Sequence, residues 1–432
     1  MSGVHPTSQK RGVGHPVEWF EFVHEAILRM SDVSGFLIPA GFRFAAVKAG
    51  LKASGRTDFA VIVADEAASA AAAYTANRIT AAPIAVDKAH LQATGGRVRV
   101  VAINAGNANC AAGQAGLEAA YATCRAAAME FGCRPEEVFP SSTGVIGVPL
   151  PVEKLVAALP AIQANLGAES ENFQQVARAI LTTDLVEKTA FARLTVDGKE
   201  VRVAAVGKGS GMIHPRLVPH ATMLVYILTD AEIEPATLQG MLNSAVEVSF
   251  NRISVDGDTS TNDTVLLLAS GASGARVEAG NTEFQAVLTQ VATSLARQIV
   301  ADGEGVKHVV ELRVGGAVSD AEAVVVAKAI AHSPLVKTAW AGSDPNWGRL
   351  MAAIGNSGAA IDPERIDIWF GDLRICRDGG RAAEMDVAAA HVYLKQPEFS
   401  ITIDLHQGDG SCVFWTTDLT AEYVRINADY ST

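Results

Sequence analysis

A threonine freed at a chain end holds a hydroxyl nucleophile and an α-amine base on one residue, and Thr222 is placed for that role. The stretch GKGSGMIHPRLVPHATMLVYILTD, Gly207 to Asp230, leads from flexible glycines through two prolines straight into Ala221 and Thr222, where an apolar run begins. Proline fixes its own φ and restricts the residue before it, so the approach to the Ala221-Thr222 bond is crowded. If that bond breaks, the exposed amine of Thr222, with a pKa of about 8, can act as base for its own hydroxyl. Taken alone, a threonine at a strand start is equally a good strand former.

Four further segments are too polar and Gly-rich for packing to explain. NAGNANCAAGQAG, Asn104 to Gly116, lies between a strand and a helix. Its small residues allow close backbone approach, and a helix N-terminus offers free N–H groups. PSSTGVIG, Pro140 to Gly147, reads as a Ser/Thr/Gly turn that can aim successive N–H groups at an oxyanion. SVDGDTSTNDT, Ser254 to Thr264, places Asp256, Asp258 and Asp263 in a loop that lacks the Glu and Gly positions of an EF-hand. Capping of turns and helix ends suits those carboxylates better than a metal, and no metal is expected. In VKTAWAGSDPNWGR, Val336 to Arg349, Asp344-Pro345-Asn346 reads as a turn and Trp347-Gly348-Arg349 as a helix start.

The elements that must position these segments alternate. VRVVAIN (98–104), TMLVYIL (222–228), TVLLLA (264–269), HVVELRV (308–314) and SITIDL (400–405) have the β-branched, apolar character of strands. Ala-rich stretches at 116–131, 153–166 and 320–332 have helical spacing. The fold class read from this order is α/β, or α+β. The alanines at 66–73 indicate tight packing in a helix or a strand, and no repeat of fixed period is present.

Composition narrows the function classes. Hydrophobic types make up 49% and charged types 19% of 432 residues, which is the balance of a folded protein of about two to four units. Lys plus Arg against Asp plus Glu gives 35 − 47 = −12. That sign argues against nucleic acid or an anionic membrane as partner and leaves a small cationic substrate open. Apolar stretches are interrupted well short of the roughly 18 residues a membrane span needs. Five scattered cysteines without a CxxC pair fit neither a disulfide framework nor structural zinc, so a reducing cytoplasm is the expected compartment. Residues 1–35 differ from the rest. They are polar at first, then carry Trp19, Phe20, Phe22, Val23, Ile27 and Leu28 at roughly helical spacing, and they read as an extension outside the catalytic body.

From about Gly41 to Thr432 the ordered motifs resemble the ornithine acetyltransferase family of arginine biosynthesis, also called glutamate N-acetyltransferase. They are GFRFAAVKAGLK, TANRITAAP, NAGNAN, SSTGVIG, TTD, GKGSGMI followed by ATML, SVDGDTSTNDT, DGEG, SPLVKTAWAGSDPNWGR and DLTAEYVRINADYST. The resemblance implies layered mixed sheets with packed helices in an N-terminal-nucleophile-like, self-processing architecture. It implies cleavage between Ala221 and Thr222, giving an α fragment (36–221, behind the 1–35 extension) and a β fragment (222–432). Two of each are expected to form a heterotetramer. It also implies an oxyanion hole at Thr143 and Gly144. Substrate contacts map onto Thr182, with Thr183 the adjacent option, and onto Lys208, Thr222, Glu304, Asn427 and Thr432.

The implied reaction moves acetyl from N-acetylornithine to glutamate through an acetyl-enzyme. It needs no ATP and no bound cofactor, with acetyl-CoA a possible co-substrate. Lys208 suits a carboxylate or developing negative charge, and Glu304 suits the cationic ornithine side chain. One departure stands beside the cleavage bond. Five residues, Arg216 to His220, separate Pro215 from Ala221 where the family commonly has about two. The rival reading with the same nucleophile is a self-processing amidase or aminopeptidase in which water resolves the acyl-enzyme.

Overall fold

The computed structural model describes residues 36–216 and 223–429. Residues 1–35, with the helical spacing read there, lie outside the described residues, as do Ala221, Thr222 and Thr432. The first half of the described chain supplies strands β1 (Phe42–Val47), β2 (Phe59–Tyr74), β3 (Arg97–Asn107), β4 (Val138–Val145), β5 (Lys188–Val196) and β6 (Lys199–Lys208). After the 217–222 segment come β7 (Leu224–Thr229) and β8 (Thr264–Ala269). These eight form one sheet in the order β4-β3-β2-β8-β7-β6-β5, with β1 paired to β2. The β3–β4 and β7–β8 pairs are parallel. Strands β7 and β8 therefore sit inside the sheet, between β2 and β6, and the sequence stretches on either side of Thr222 interleave in one layer.

The inner strands of this sheet are covered on both faces, which is why β7 and β8 read as continuous apolar runs. On β7, Val225 and Ile227 join a core with helices Pro235–Val248 and Thr282–Ala301, while Leu224, Tyr226 and Leu228 face a second core with helix Ser170–Ala179. The alanines of β2 follow the same alternation and let helix Pro235–Val248 approach closely. Gln239 on that helix exchanges two hydrogen bonds with the backbone of Ala72, each of 3.1 Å. The Ala-rich stretch is thus a strand.

A second sheet holds β9 (Val309–Ala317), β10 (Asp367–Phe370), β11 (Leu373–Arg377), β12 (Gly380–Arg381), β13 (Glu398–Asp404) and β14 (Gly410–Thr417) in the order β12-β11-β10-β13-β9-β14. One face packs on helices Asp320–Ala331, Pro334–Ala341 and Trp347–Gly355. From the other face Trp415 enters the core of the first sheet. The architecture is mixed α/β in layers, as expected, and the five strand runs read from sequence fall on β3, β7, β8, β9 and β13. One expectation is corrected. Ser141 to Gly144 form the end of strand β4, not a turn, because β4 continues its parallel pairing with β3 through Gly144. Among the described residues, no helix is long and apolar enough to cross a membrane.

Candidate active site

One cleft opens where the ends of β4, β6, β7 and β8 meet, and its back wall is built by the NAGN and STG motifs together. Gly144 has φ +132°, and a Cβ placed there would stand 2.4 Å from the Gly106 carbonyl carbon and 2.6 Å from the Asn107 nitrogen. A side chain at 144 would push the two strand ends apart, while the space a side chain at 106 would need is filled by Leu51 and Lys52 of the loop before β2. Asparagines fix the rest of the wall. Ser142 donates to Asn104 at 2.6 Å, and Asn104 donates to the Asn107 carbonyl at 2.8 Å. From the loop just before β8, the Asn262 amide donates to the carbonyls of Ala108 at 2.6 Å and Ser142 at 2.8 Å. Thr143 and Gly144 then line the cleft.

The floor is a buried charge network. Lys208, at the end of β6, donates to Thr182 Oγ1 at 2.8 Å and lies 3.5 Å from Thr143 Oγ1 and 3.8 Å from Asp184. Asp184 accepts from the Thr182 and Gly209 backbones at 2.9 and 2.7 Å and from Lys188 at 2.8 Å. Lys188 is fully buried and reaches Asp302 at 2.6 Å. Burial opposes a charge on Asp184, but Lys208 and Lys188 outweigh it and hold the carboxyl well below the usual range. Two ammoniums and two carboxylates balance, so Thr182 and Lys208 are held rigidly without excess charge.

The opposite end is acidic. Asp302 and Glu304 belong to DGEG, and a Cβ on Gly211 would lie 2.5 Å from the Glu304 carboxylate, so glycine at 211 is what lets the GKGSG loop close over it. Glu304 accepts from Asn427 at 2.9 Å, on helix Ala421–Asp429. Asp256 accepts from the Met212 and Ile213 backbones at 2.6 and 2.8 Å, fastening the segment that leads to 217–222. Burial raises its carboxyl to about 6 against those N–H donors. Asp263 is buried in the same cleft. Burial pushes it well above the usual carboxylate range, against the Ser260 hydroxyl, the Lys208 charge and the Met223 N–H. Met223, which follows Thr222 in the chain, also lines the cleft.

Of the residues singled out from sequence, Thr143, Gly144, Thr182, Thr183, Lys208, Glu304 and Asn427 come together here. Of the turn and helix-end capping expected of Asp256, the structure has one turn bond, from the Asp258 backbone at 3.2 Å, while its shorter bonds go to the distant Met212 and Ile213 backbones. Sequence reasoning passed over Lys188, Asp184 and Asn262. TTD and TNDT were visible as motifs, but a lysine inside a strand gives no sign that it will be paired. Among the described residues no group of three or more His, Cys, Asp and Glu side chains is placed to hold a metal.

Comparison with known proteins extends over the same body. The ArgJ family profile matches residues 43–432. The arginine biosynthesis bifunctional protein ArgJ of Geobacter sulfurreducens is 44% identical over 396 residues, covering 91% of this chain and 99% of its own. A crystal structure of the ArgJ bifunctional protein from Bacillus halodurans aligns at 42% identity and TM-score 0.47, covering 48% of this chain and 100% of that one. An ornithine acetyltransferase from Mycobacterium tuberculosis, solved with ornithine, aligns at 34% identity and TM-score 0.37 over 42% of this chain and 94% of that one. The chain belongs to the ArgJ family.

Proposed function

We propose that this chain is a glutamate N-acetyltransferase of arginine biosynthesis that moves acetyl from N2-acetylornithine to glutamate. The observation that carries the reading is the convergence of Thr143-Gly144, Thr182-Thr183, Lys208, Glu304 and Asn427 in one cleft beside Met223. The full-length match to arginine biosynthesis bifunctional proteins supports it.

The chain first processes itself. Thr222 Oγ attacks the Ala221 carbonyl and the C–N bond breaks, the nitrogen taking a proton. Water then hydrolyses the ester, leaving a carboxylate on Ala221 and a free amine on Thr222. In turnover that amine takes the Oγ proton as the hydroxyl attacks the acetamide of N-acetylornithine. Thr143 and Gly144 hold the oxyanion. Ornithine leaves with the proton and the acetyl remains on Thr222 as an ester. The amine of glutamate attacks that ester and Thr222 Oγ recovers its proton. Substrates bind on Thr182 or Thr183, Lys208, Thr222, Glu304, Asn427 and Thr432, with Lys208 toward carboxylate and Glu304 toward the ornithine ammonium.

The two fragments stay joined because β7 and β8 lie between strands of the other fragment, and two such pairs form the heterotetramer. The reaction runs in the cytoplasm without a cofactor, and acetyl-CoA serves as a second donor. The test is product analysis on the cleaved protein with N-acetylornithine or acetyl-CoA and glutamate. N-acetylglutamate as main product supports the transferase; free acetate as main product would replace it with the amidase.

A further inference from the structure

The two substrates of the proposed reaction differ in charge at their side chains. N-acetylornithine ends in an ammonium, glutamate in a carboxylate, and each also carries an α-carboxylate. The acidic end of the cleft, with Glu304, Asp256 and Asp258 grouped around Tyr423, suits only the first. The floor holds two cations, Lys208 and the fully buried Lys188, and their charges are already balanced by Asp184 and Asp302. The acceptor's side-chain carboxylate thus needs another cation near Thr182.

The loop between β1 and β2, KAGLKASGRTD, supplies three at a spacing of four: Lys48, Lys52 and Arg56. Its shape is fixed. Asp58 is fully buried and accepts from the backbones of Ala49, Leu51 and Lys52 at 2.6, 2.6 and 2.8 Å, so its charge is spent on N–H groups. Gly106 of the back wall admits the loop, since a Cβ there would stand 3.2 Å from the Leu51 carbonyl carbon. Arg56 reaches the cleft wall and donates to the Thr182 carbonyl at 3.4 Å, while Lys208 holds the hydroxyl of the same residue. Lys48 and Arg56 are exposed, and none of the three cations forms an ion pair with a described carboxylate. Burial first, and then the Arg56 charge, draw the Lys52 ammonium down to about 8, and it donates to the Thr57 and Ala179 carbonyls at 2.8 and 2.7 Å.

Resting on the proposed acetyl transfer, we propose that Arg56, supported by Lys48 and Lys52, forms the subsite for the side-chain carboxylate of the acceptor glutamate. Arg56 is then a specificity-determining residue for the second half-reaction only. The cleft separates its substrates by polarity, donor side chain toward Glu304 and acceptor side chain toward Arg56.

The test compares Arg56→Ala and Arg56→Lys with the unaltered enzyme in two assays: acetyl-enzyme formation from N-acetylornithine alone, and KM and kcat for glutamate at saturating donor. Loss of a charge-assisted contact should raise the glutamate KM of Arg56→Ala about tenfold, with kcat and donor half-reaction near those of the unaltered enzyme. Arg56→Lys should recover most of that loss. An unchanged glutamate KM in Arg56→Ala would overturn the subsite. So would equal losses in both half-reactions, which would mean that Arg56 acts through Thr182. Absence of N-acetylglutamate with the unaltered enzyme is a separate outcome that would overturn the acetyl transfer itself.

Discussion

Gly144→Ala tests whether the back wall of the cleft is built as described. The new Cβ would stand 2.4 Å from the Gly106 carbonyl carbon and 2.7 Å from its Cα, both backbone atoms, at a φ of +132°. Real Cβ contacts do not fall below 3.0 Å, so the strand ends must part by at least 3.0 − 2.4 = 0.6 Å. The backbone strain costs about 1–3 kcal/mol and the overpacking about 1–3 kcal/mol more. If these groups hold the oxyanion as proposed, a displacement approaching 1 Å lowers turnover by roughly 10²-fold. Gly147→Ala is the control, with φ +82° but nothing within 4 Å of its Cβ. It bears about 1 kcal/mol of conformational cost and should retain activity. Thermal unfolding, the fraction of chain cleaved and acetyl transfer are measured on both. A Gly144→Ala protein with the melting temperature and turnover of Gly147→Ala would refute the back-to-back glycine wall.

Other perturbations separate the parts of the site. Lys188→Met leaves Asp184 and Asp302 buried without their shared ammonium, so urea unfolding should show a loss of about 3–5 kcal/mol. Gly211→Ala drives a Cβ into the Glu304 carboxylate and should raise KM for N-acetylornithine more than it lowers kcat, read by steady-state kinetics. His214 and His332 meet edge to face at 4.2 Å, and burial with neighbouring cations lowers them to about 3 and about 4. Because the unfolded chain binds their protons at about 6.5, the stability they contribute is complete above that pH and is lost as pH falls toward the folded values. Urea midpoints at about pH 7.5 and about pH 5 should differ, and His214→Gln with His332→Gln should reduce the difference.

Much of the fold was legible because inner strands such as β7 and β8 are buried on both faces, and such strands announce themselves as unbroken apolar, β-branched runs. TVLLLA coincides with β8, residue for residue. The glycines of NAGN and STG were legible as points of close approach, though not that they approach one another. That contact depends on β3 and β4 pairing in parallel across an intervening helix, a tertiary fact without a local signature. The STG end of β4 read as a turn for the same reason, since Ser, Thr and Gly belong to turns until a partner strand claims them. Lys188 and Asp302 are 114 residues apart and Arg56 and Thr182 are 126 apart, so no window of sequence contains either pair. Asp256 was legible as a cap of its own turn, but not as the carboxylate that fastens Met212 and Ile213 more than forty residues away.

In the proposed reaction Thr222, freed by cleavage, holds the acetyl group between donor and acceptor. Intact-mass spectrometry after incubation with N-acetylornithine alone tests it most directly. Two polypeptides are expected, beginning at the chain start and at Thr222, the second heavier by one acetyl group that is lost when glutamate is added. A single uncleaved chain that is fully active, or an acetyl group carried on the other fragment, would contradict it.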